Sequence, residues 1–208
     1  MVRPMQERAV QTRKLILRAA AEAFDESGYH GAQITGILGR AGLTQGAMYF
    51  HFKSKEDLAR TVMLEQAADL RLPERPAGLK QLVEITLALA VEMQRNVLFR
   101  AGVRLAVDLE GPAVRDSSIY RWWTDRFNEE LVEAHRKGEL LPHVDGCELA
   151  EMLVGAYTGI QLMSQITSGR KDLPRRITSI WRYLLPGIAT PEALAGITLA
   201  DDGALERP

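Results

Sequence analysis

The sequence predicts an all-α protein in two parts: an N-terminal three-helix domain over residues 1–54, built around a helix-turn-helix, and a larger helical bundle over residues 55–208. Three observations predict it. Apolar residues recur at helical spacing through the long segments, and no stretch reads as a strand. The pair Pro73 and Pro76 interrupts that pattern and marks a boundary. Charge is also divided unevenly. Residues 1–55 hold eight basic residues (Arg3, Arg8, Arg13, Lys14, Arg18, Arg40, Lys53, Lys55) against four acids (Glu7, Glu22, Asp25, Glu26), a net of +4. With a whole-chain charge of −1, the remainder carries −5. A basic head on an acidic body is the asymmetry expected where one end meets phosphate.

The elements follow in order. Residues 7–28 form a helix with Leu15, Ile16, Ala19, Ala20, Ala23 and Phe24 on one face, stopped by Gly28. A short helix over 34–41 turns Ile34, Ile37, Leu38 and Ala41 inward and closes at Gly42. Another spans about 45–51, and a fourth begins at Lys55 and runs into the 60s. Beyond the prolines lie apolar-periodic segments over 77–95, 98–108, about 117–137, 146–168 and 173–185. Gly111-Pro112, Gly138, Pro142, Gly169, Pro174 and Pro186-Gly187 punctuate them.

At 208 residues, 46% hydrophobic and 25% charged, the chain can bury a core. The single cysteine, Cys147, excludes an intrachain disulfide and offers no cysteine pair for zinc. The charged N-terminus lacks the apolar run of a signal peptide, and no segment reaches the roughly 18 apolar residues of a membrane span. A cytoplasmic location is expected.

The first chemical signal is Leu43–Leu58, LTQGAMYFHFKSKEDL. Two short helices joined by Ala41-Gly42-Leu43 have the proportions of a helix-turn-helix, whose second helix enters the major groove. Thr44 can cap that helix. Gln45, Gly46 and Ala47 are small or hydrogen-bonding where a helix approaches base edges and thymine methyls. An interior glycine costs about 1 kcal/mol against alanine, a cost better matched to close approach than to packing. Among the four consecutive rings, Phe50 and Phe52 are expected to anchor the helix, while Tyr49 and His51 point outward toward phosphate oxygens. Lys53 and Lys55 add charge at the same edge. An aromatic core corner is the competing reading.

The run QTRKLILRAAAEAFDESGYHGAQITGILGRAGLTQGAMYFHFKSKEDLA, Gln11–Ala59, resembles the DNA-binding domain of TetR-type transcriptional repressors. The resemblance covers about 50 residues and rests on Gly28-Tyr29, the AGLTQGAMYFHF turn and helix, and the SKEDL opening of the fourth helix. YFHF followed by SKEDL is similar in particular to the γ-butyrolactone autoregulator receptors of antibiotic-producing bacteria. So are NVLFRAGVRLAVD, YRWWTDRFN and GELLPHV farther along. The resemblance implies a homodimeric repressor that binds a palindromic double-stranded operator and releases it on binding a small apolar signal. Arg13 and Thr35 join Thr44, Gln45, Gly46, Ala47, Tyr49, His51, Lys53 and Lys55 as the expected DNA-contacting set.

Two departures stand out. Where the family usually has lysine at the second position of the recognition helix, this chain has Gln45, which can read adenine but lacks the charge. The family's Thr-x-x-Glu capping box at the preceding helix is replaced by Gln33 and Gly36. With Gly36 and Gly39 inside it, that helix should depend on packing.

In the C-terminal bundle, segment 149–166 is apolar around most of its circumference, so it should be covered on several sides. Gly155 and Gly159 allow close approach, and Met152, Leu162 and Met163 supply adaptable contact. Dimerisation through this helix and 173–185 is one reading; a central helix of a monomeric bundle is the other. Trp122 and Trp123 lie about 100° apart on a helix, so one should turn inward and the other toward a rim. Trp123 and Phe127 share a face and could wall a cavity, as could Tyr157 and Gln161. Each fits core packing as well as ligand contact; the resemblance, whose lactone pocket uses a tryptophan matching Trp123, implies a pocket. Gln66, late in the fourth helix, is a further ligand candidate.

His143, Asp145, Cys147 and Glu148 alternate in a short loop without four-ligand geometry, so no metal is expected. No nucleophile–base pair or phosphate-cradling loop stands out, so neither an enzyme nor a cofactor is expected. Rival functions are a TetR-type regulator of efflux or metabolism with another apolar ligand, an antibiotic-sensing pseudo-receptor, and a helical protein whose head is only structural.

Overall fold

In the computed structural model, residues 3–68, 70–108 and 118–199 are described, with side chains from residue 7 onward. They form α1 (Arg3–Gly31), α2 (Ile34–Ala41), α3 (Gln45–His51), α4 (Lys55–Glu65), α5 (Leu79–Arg95), α6 (Val97–Asp108), α7 (Ser118–Arg136), α8 (Gly146–Ser168), α9 (Leu173–Ile188) and α10 (Pro191–Ala195). Among the described residues the β-structure is one isolated bridge, Leu140 to Ala189. The expected break at Gly111-Pro112 lies outside the described residues. No helix among them is long and apolar enough to cross a membrane.

The chain folds as two compact units, one of residues 1–70 with 95–119 and one of 71–94 with 120–208. The unit carrying the helix-turn-helix therefore extends past residue 54, because α4 and α6 both pack with α1.

In the first unit, Ile16, Leu17, Ala20 and Phe24 of α1 pack with Ile37 and Leu38, Met48, Phe52, Leu58, Val62 and Met63, and Ala101 and Leu105 of α6. The helical conformation of α1 breaks at Gly28, as expected. Its φ of 68° kinks the helix, which resumes to Gly31. That positive φ requires glycine, and a Cβ there would also push aside the Asp108 carboxylate, 2.5 Å away. The same corner is tied by an ion pair and two hydrogen bonds. Arg100 Nε donates to Asp25 at 2.7 Å, Arg104 Nη1 to the Asp25 carbonyl at 2.6 Å, and Tyr29 N–H to Asp108 at 3.4 Å. Where α6 crosses α4, a Cβ on Gly102 would fall within 3.0 Å of Gln66.

In the second unit, Leu82, Ile85, Leu89 and Met93 of α5 are buried, as are Phe127 and Leu131 of α7, Leu149 and Leu153 of α8, and Ile177, Trp181 and Leu185 of α9. Trp181 Nε1 donates to Thr86 Oγ1 at 2.7 Å, satisfying a buried polar pair. The start of α5 is capped from far along the chain. Glu130, fully buried, accepts from the Ala77 and Gly78 N–H groups at 2.8 and 3.1 Å, from Gln81 at 2.8 Å and from Arg126 at 2.9 Å. Glu139 accepts from Leu79 N–H at 2.8 Å. At the α8–α9 turn, Asp172 accepts from Ser164, Ser168 and Arg176 at 2.5, 2.6 and 2.7 Å.

One boundary and one burial pattern differ from expectation. α9 runs through Pro186 to Ile188, since a proline so near the end removes a single hydrogen bond and Ala189 N–H still reaches Leu185 O at 2.9 Å. α8 is not covered all round: Leu149, Ala150, Leu153, Gln161 and Ser164 are buried, whereas Met152, Leu162, Met163 and Ile166 are exposed.

Candidate nucleic-acid interface and ligand-binding residues

The turn between α2 and α3 is built by its punctuation. Gly42 takes the left-handed conformation (φ 64°) that closes α2, its N–H reaching Leu38 and Gly39 carbonyls. Gln33 makes no side-chain cap, as the missing capping box implies. Thr44 caps α3, its hydroxyl accepting from Ala47 N–H at 3.4 Å. Ser54 caps α4, accepting from Asp57 N–H at 3.1 Å, while Asp57 accepts from Lys53 N–H at 2.8 Å. Met48 and Phe52, four apart, are buried and fix α3 against the unit's core.

That leaves Gln45, Gly46, Tyr49 and Phe50 exposed, with Ala47 and His51 part-buried. Thr35 and Thr44 are exposed as well. A Cβ on Gly46 would meet only Thr44 Oγ1, at 4.0 Å, so nothing among the described residues demands glycine there. Phe50 corrects the expectation that it anchors the helix: it is 80% exposed. At about 100° per residue, Met48 and Phe52 define the inward side and Phe50 sits about 200° from each. That spacing was the signal, and the run of four rings obscured it.

The basic residues divide by use. Arg13 donates to Glu65 of α4 at 2.5 and 3.3 Å, and its guanidinium lies 5.6 Å from the Phe52 ring centroid, so it braces α1, α3 and α4. Arg40 is paired with Glu26 and Arg18 with Glu22. Lys55 Nζ stands 4.6 Å from the Tyr29 ring centroid, and partial burial lowers its pKa. Lys53 is exposed.

Of the expected ligand residues, Gln66 belongs to the first unit and the other four to the second. Gln66 is buried; its Nε2 donates to Met63 O at 3.0 Å, and its Oε1 has no hydrogen-bond partner among the described residues. Trp123 is 8% exposed and Trp122 42%, which resolves the pair: Trp123 faces inward. Its ring centroid is 6.0 Å from that of Phe127, which is buried, and 4.7 Å from that of Trp122.

Tyr157 and Gln161 are one turn apart on α8. The Tyr157 hydroxyl is buried and makes no hydrogen bond among the described residues. Burial pushes its pKa up far more than nearby Arg170 pulls it down, so the phenol stays protonated and able to donate. Gln161 Oε1 accepts from Arg170 Nε at 3.4 Å. Arg170, buried with φ of 67°, follows Gly169 (φ 61°), and its carbonyl accepts from Gln94 at 3.0 Å. This buried arginine was missed by sequence reading, since nothing local announces that a basic residue after a helix-ending glycine turns inward. Asp145 is committed as the N-cap of α8, accepting from Glu148 N–H at 3.0 Å.

Comparison with known proteins gives consistent matches. The family described as bacterial regulatory proteins, tetR family, matches residues 16–62, and the tetracyclin repressor-like C-terminal domain matches residues 76–190. The chain is 39% identical over 192 residues to the A-factor receptor protein of Streptomyces griseus, covering 92% of this chain and 69% of that one. Among solved structures it is similar to TylP, a TetR regulator from Streptomyces fradiae, with a TM-score of 0.81 at 39% identity over 93% of each chain. It is also similar to CprB from Streptomyces coelicolor in complex with its operator sequence, with a TM-score of 0.74 at 30% identity over 91% of this chain and 94% of that one. A γ-butyrolactone receptor described as ArpA-like aligns with a TM-score of 0.70 at 28% identity over 91% and 93%.

Proposed function

Since the chain belongs to the TetR family of bacterial regulatory proteins, we propose that it is a homodimeric repressor that places α3 in the major groove of a palindromic operator and lets go when a γ-butyrolactone-type signal binds. The observation that carries this reading is the division of α3: Met48 and Phe52 lock one side into the core, and Gln45, Gly46 and Tyr49 stand free on the other. Gln45 pairs with adenine, Gly46 admits close approach, and Tyr49, His51, Thr44, Thr35, Lys53 and Lys55 hold phosphates. Arg13 acts by bracing the helices rather than by touching DNA.

Two copies meet through α8 and α9. Met152, Gly155, Gly159, Leu162, Met163 and Ile166 follow one another at spacings of three, four and one on the exposed side of α8. Such a stripe is a seam awaiting a partner. Pairing through it sets two α3 helices about one turn of DNA apart, ~34–36 Å.

The signal binds in the second unit. Trp123 and Phe127 offer apolar wall, and the Tyr157 hydroxyl offers a proton to a carbonyl such as a lactone's. The resemblance to the A-factor receptor protein and to the ArpA-like receptor supports the γ-butyrolactone class and, with it, control of antibiotic production. Binding favours a conformation with poor operator affinity, and the ligand's differential affinity for the two states limits how far operator affinity falls. No catalytic step is required of any residue.

The test is a gel shift with a duplex that the full-length protein selects from a random pool. Affinity should fall steeply with salt, at a log–log slope near −0.9 per phosphate neutralised. Tyr49→Ala should weaken binding, and adding a synthetic γ-butyrolactone should release the duplex from wild type but not from Trp123→Ala. A flat salt response, or release from both proteins alike, overturns the reading.

A further inference from the structure

We propose that Phe50 is a base-reading side chain that rests on the C5-methyl group of a thymine in each operator half-site. This rests on the DNA-binding reading above and adds to it a specificity residue.

Phe50 is 80% exposed on α3, on the side of the helix away from Met48 and Phe52. Its ring meets His51 edge-on, with centroids 5.0 Å apart and planes at 90°, a contact that limits the orientations open to it. One turn earlier on the same side stands Gly46, where even a Cβ would touch nothing closer than Thr44 Oγ1 at 4.0 Å. The position one turn before the ring is therefore open, and the ring itself is largely in solvent.

A phenyl ring has no hydrogen-bonding atom. It gains nothing from a phosphate oxygen or from the donors and acceptors of base edges. On the floor of the major groove the apolar group is the thymine methyl. A protein partner would call for a contiguous apolar patch, whereas the other exposed residues of α3 and the turn after it are Gln45, Gly46, Tyr49 and Lys53. The net charge of +4 over residues 1–55 supplies the attraction that brings an apolar side chain up to a polyanion. Gln45, suited to adenine, then makes α3 a reader of adjacent A·T pairs: its amide takes the adenine edge of one, and the ring takes the methyl of another.

The experiment uses the full-length protein and the duplex it selects from a random pool, resynthesised with deoxyuridine in place of each thymine in turn. At one thymine per half-site, loss of the methyl should weaken wild-type binding about fourfold, the worth of one buried methyl-sized group. Phe50→Ala, checked for unchanged helical circular dichroism, should bind the thymine and uracil duplexes equally, and Phe50→Leu should keep part of the difference. The inference is overturned if no thymine responds, or if the response persists undiminished in Phe50→Ala. Failure to enrich any sequence sinks the DNA-binding reading and this inference together. An enriched duplex without the methyl signature leaves the former standing and removes the latter.

Discussion

The outward side of α3 and the outward side of α8 are both bare, and both carry glycines with open space in front of them. Among the described residues, Gly46 on α3 has only Thr44 Oγ1 at 4.0 Å, and Gly155 and Gly159 on α8 have nothing within 4 Å. Their companions differ. α3 surrounds its glycine with Gln45, Tyr49, a single apolar ring and nearby Lys53; α8 surrounds its pair with Met152, Leu162, Met163 and Ile166, the last 71% exposed. A surface of hydrogen-bonding groups and charge suits a hydrated polyanion, whereas a continuous apolar stripe suits another stripe like itself. The contrast teaches that where a helical glycine faces open space, its neighbours name the kind of partner that side can take.

The hardest blow to this contrast is charge in the α8 stripe. Met163→Asp with Ile166→Asp should weaken self-association by about a hundredfold or more, because unpaired carboxylates would have to be buried between copies. Analytical ultracentrifugation reads it, and a protein that stays dimeric would remove the stripe from the interface. Next comes a glycine of the opposite kind. Gly102 sits where a Cβ would collide with Gln66, so Gly102→Ala should destabilise the fold by about 1–3 kcal/mol in urea titration.

The two kinds of glycine look alike in sequence, which shows where sequence reading stops. Boundaries set by neighbours were legible: Gly42 ends α2, Thr44 opens α3 and Ser54 opens α4, each acting within three or four residues. Contacts across the chain were not. The start of α5 depends on Glu130 and Glu139, some 50 to 60 positions later, and Arg13 finds Glu65 at a separation of 52. Phe50 was misread because the inward partner of Phe52 is Met48, one helical turn away. In the second unit the pairing of Trp123 with Phe127 was legible from spacing, but the buried Arg170 beside Gln161 was not.

Smaller effects sharpen the contrast further. Gly46→Ala and Gly159→Ala should each leave the monomer fold as stable or more so, by about 0.5–1 kcal/mol, as glycine's backbone freedom is removed. Each should nevertheless weaken its own contact, the first to DNA and the second between copies, so thermal melts and binding titrations move in opposite directions. A pH-dependent effect comes from Asp172, whose contribution is fully present at neutral pH. Burial raises its pKa, but hydrogen bonds from Ser164, Ser168 and Arg176 prevail and hold the carboxyl well below the usual range. A depressed folded-state pKa adds stability that is complete above the unfolded value, about 3.9, and is lost as pH falls toward the folded one. Asp172→Asn should therefore show a flatter acid-unfolding profile below about pH 4 than wild type.

The central claim is that the free side of α3 reads base pairs. Competition binding of wild type and Gln45→Ala between the selected duplex and a scrambled one tests it most directly. The account predicts that Gln45→Ala loses about tenfold or more of the preference for the selected sequence while its salt-dependent binding to both duplexes persists. A Gln45→Ala protein that discriminates as sharply as wild type would contradict it.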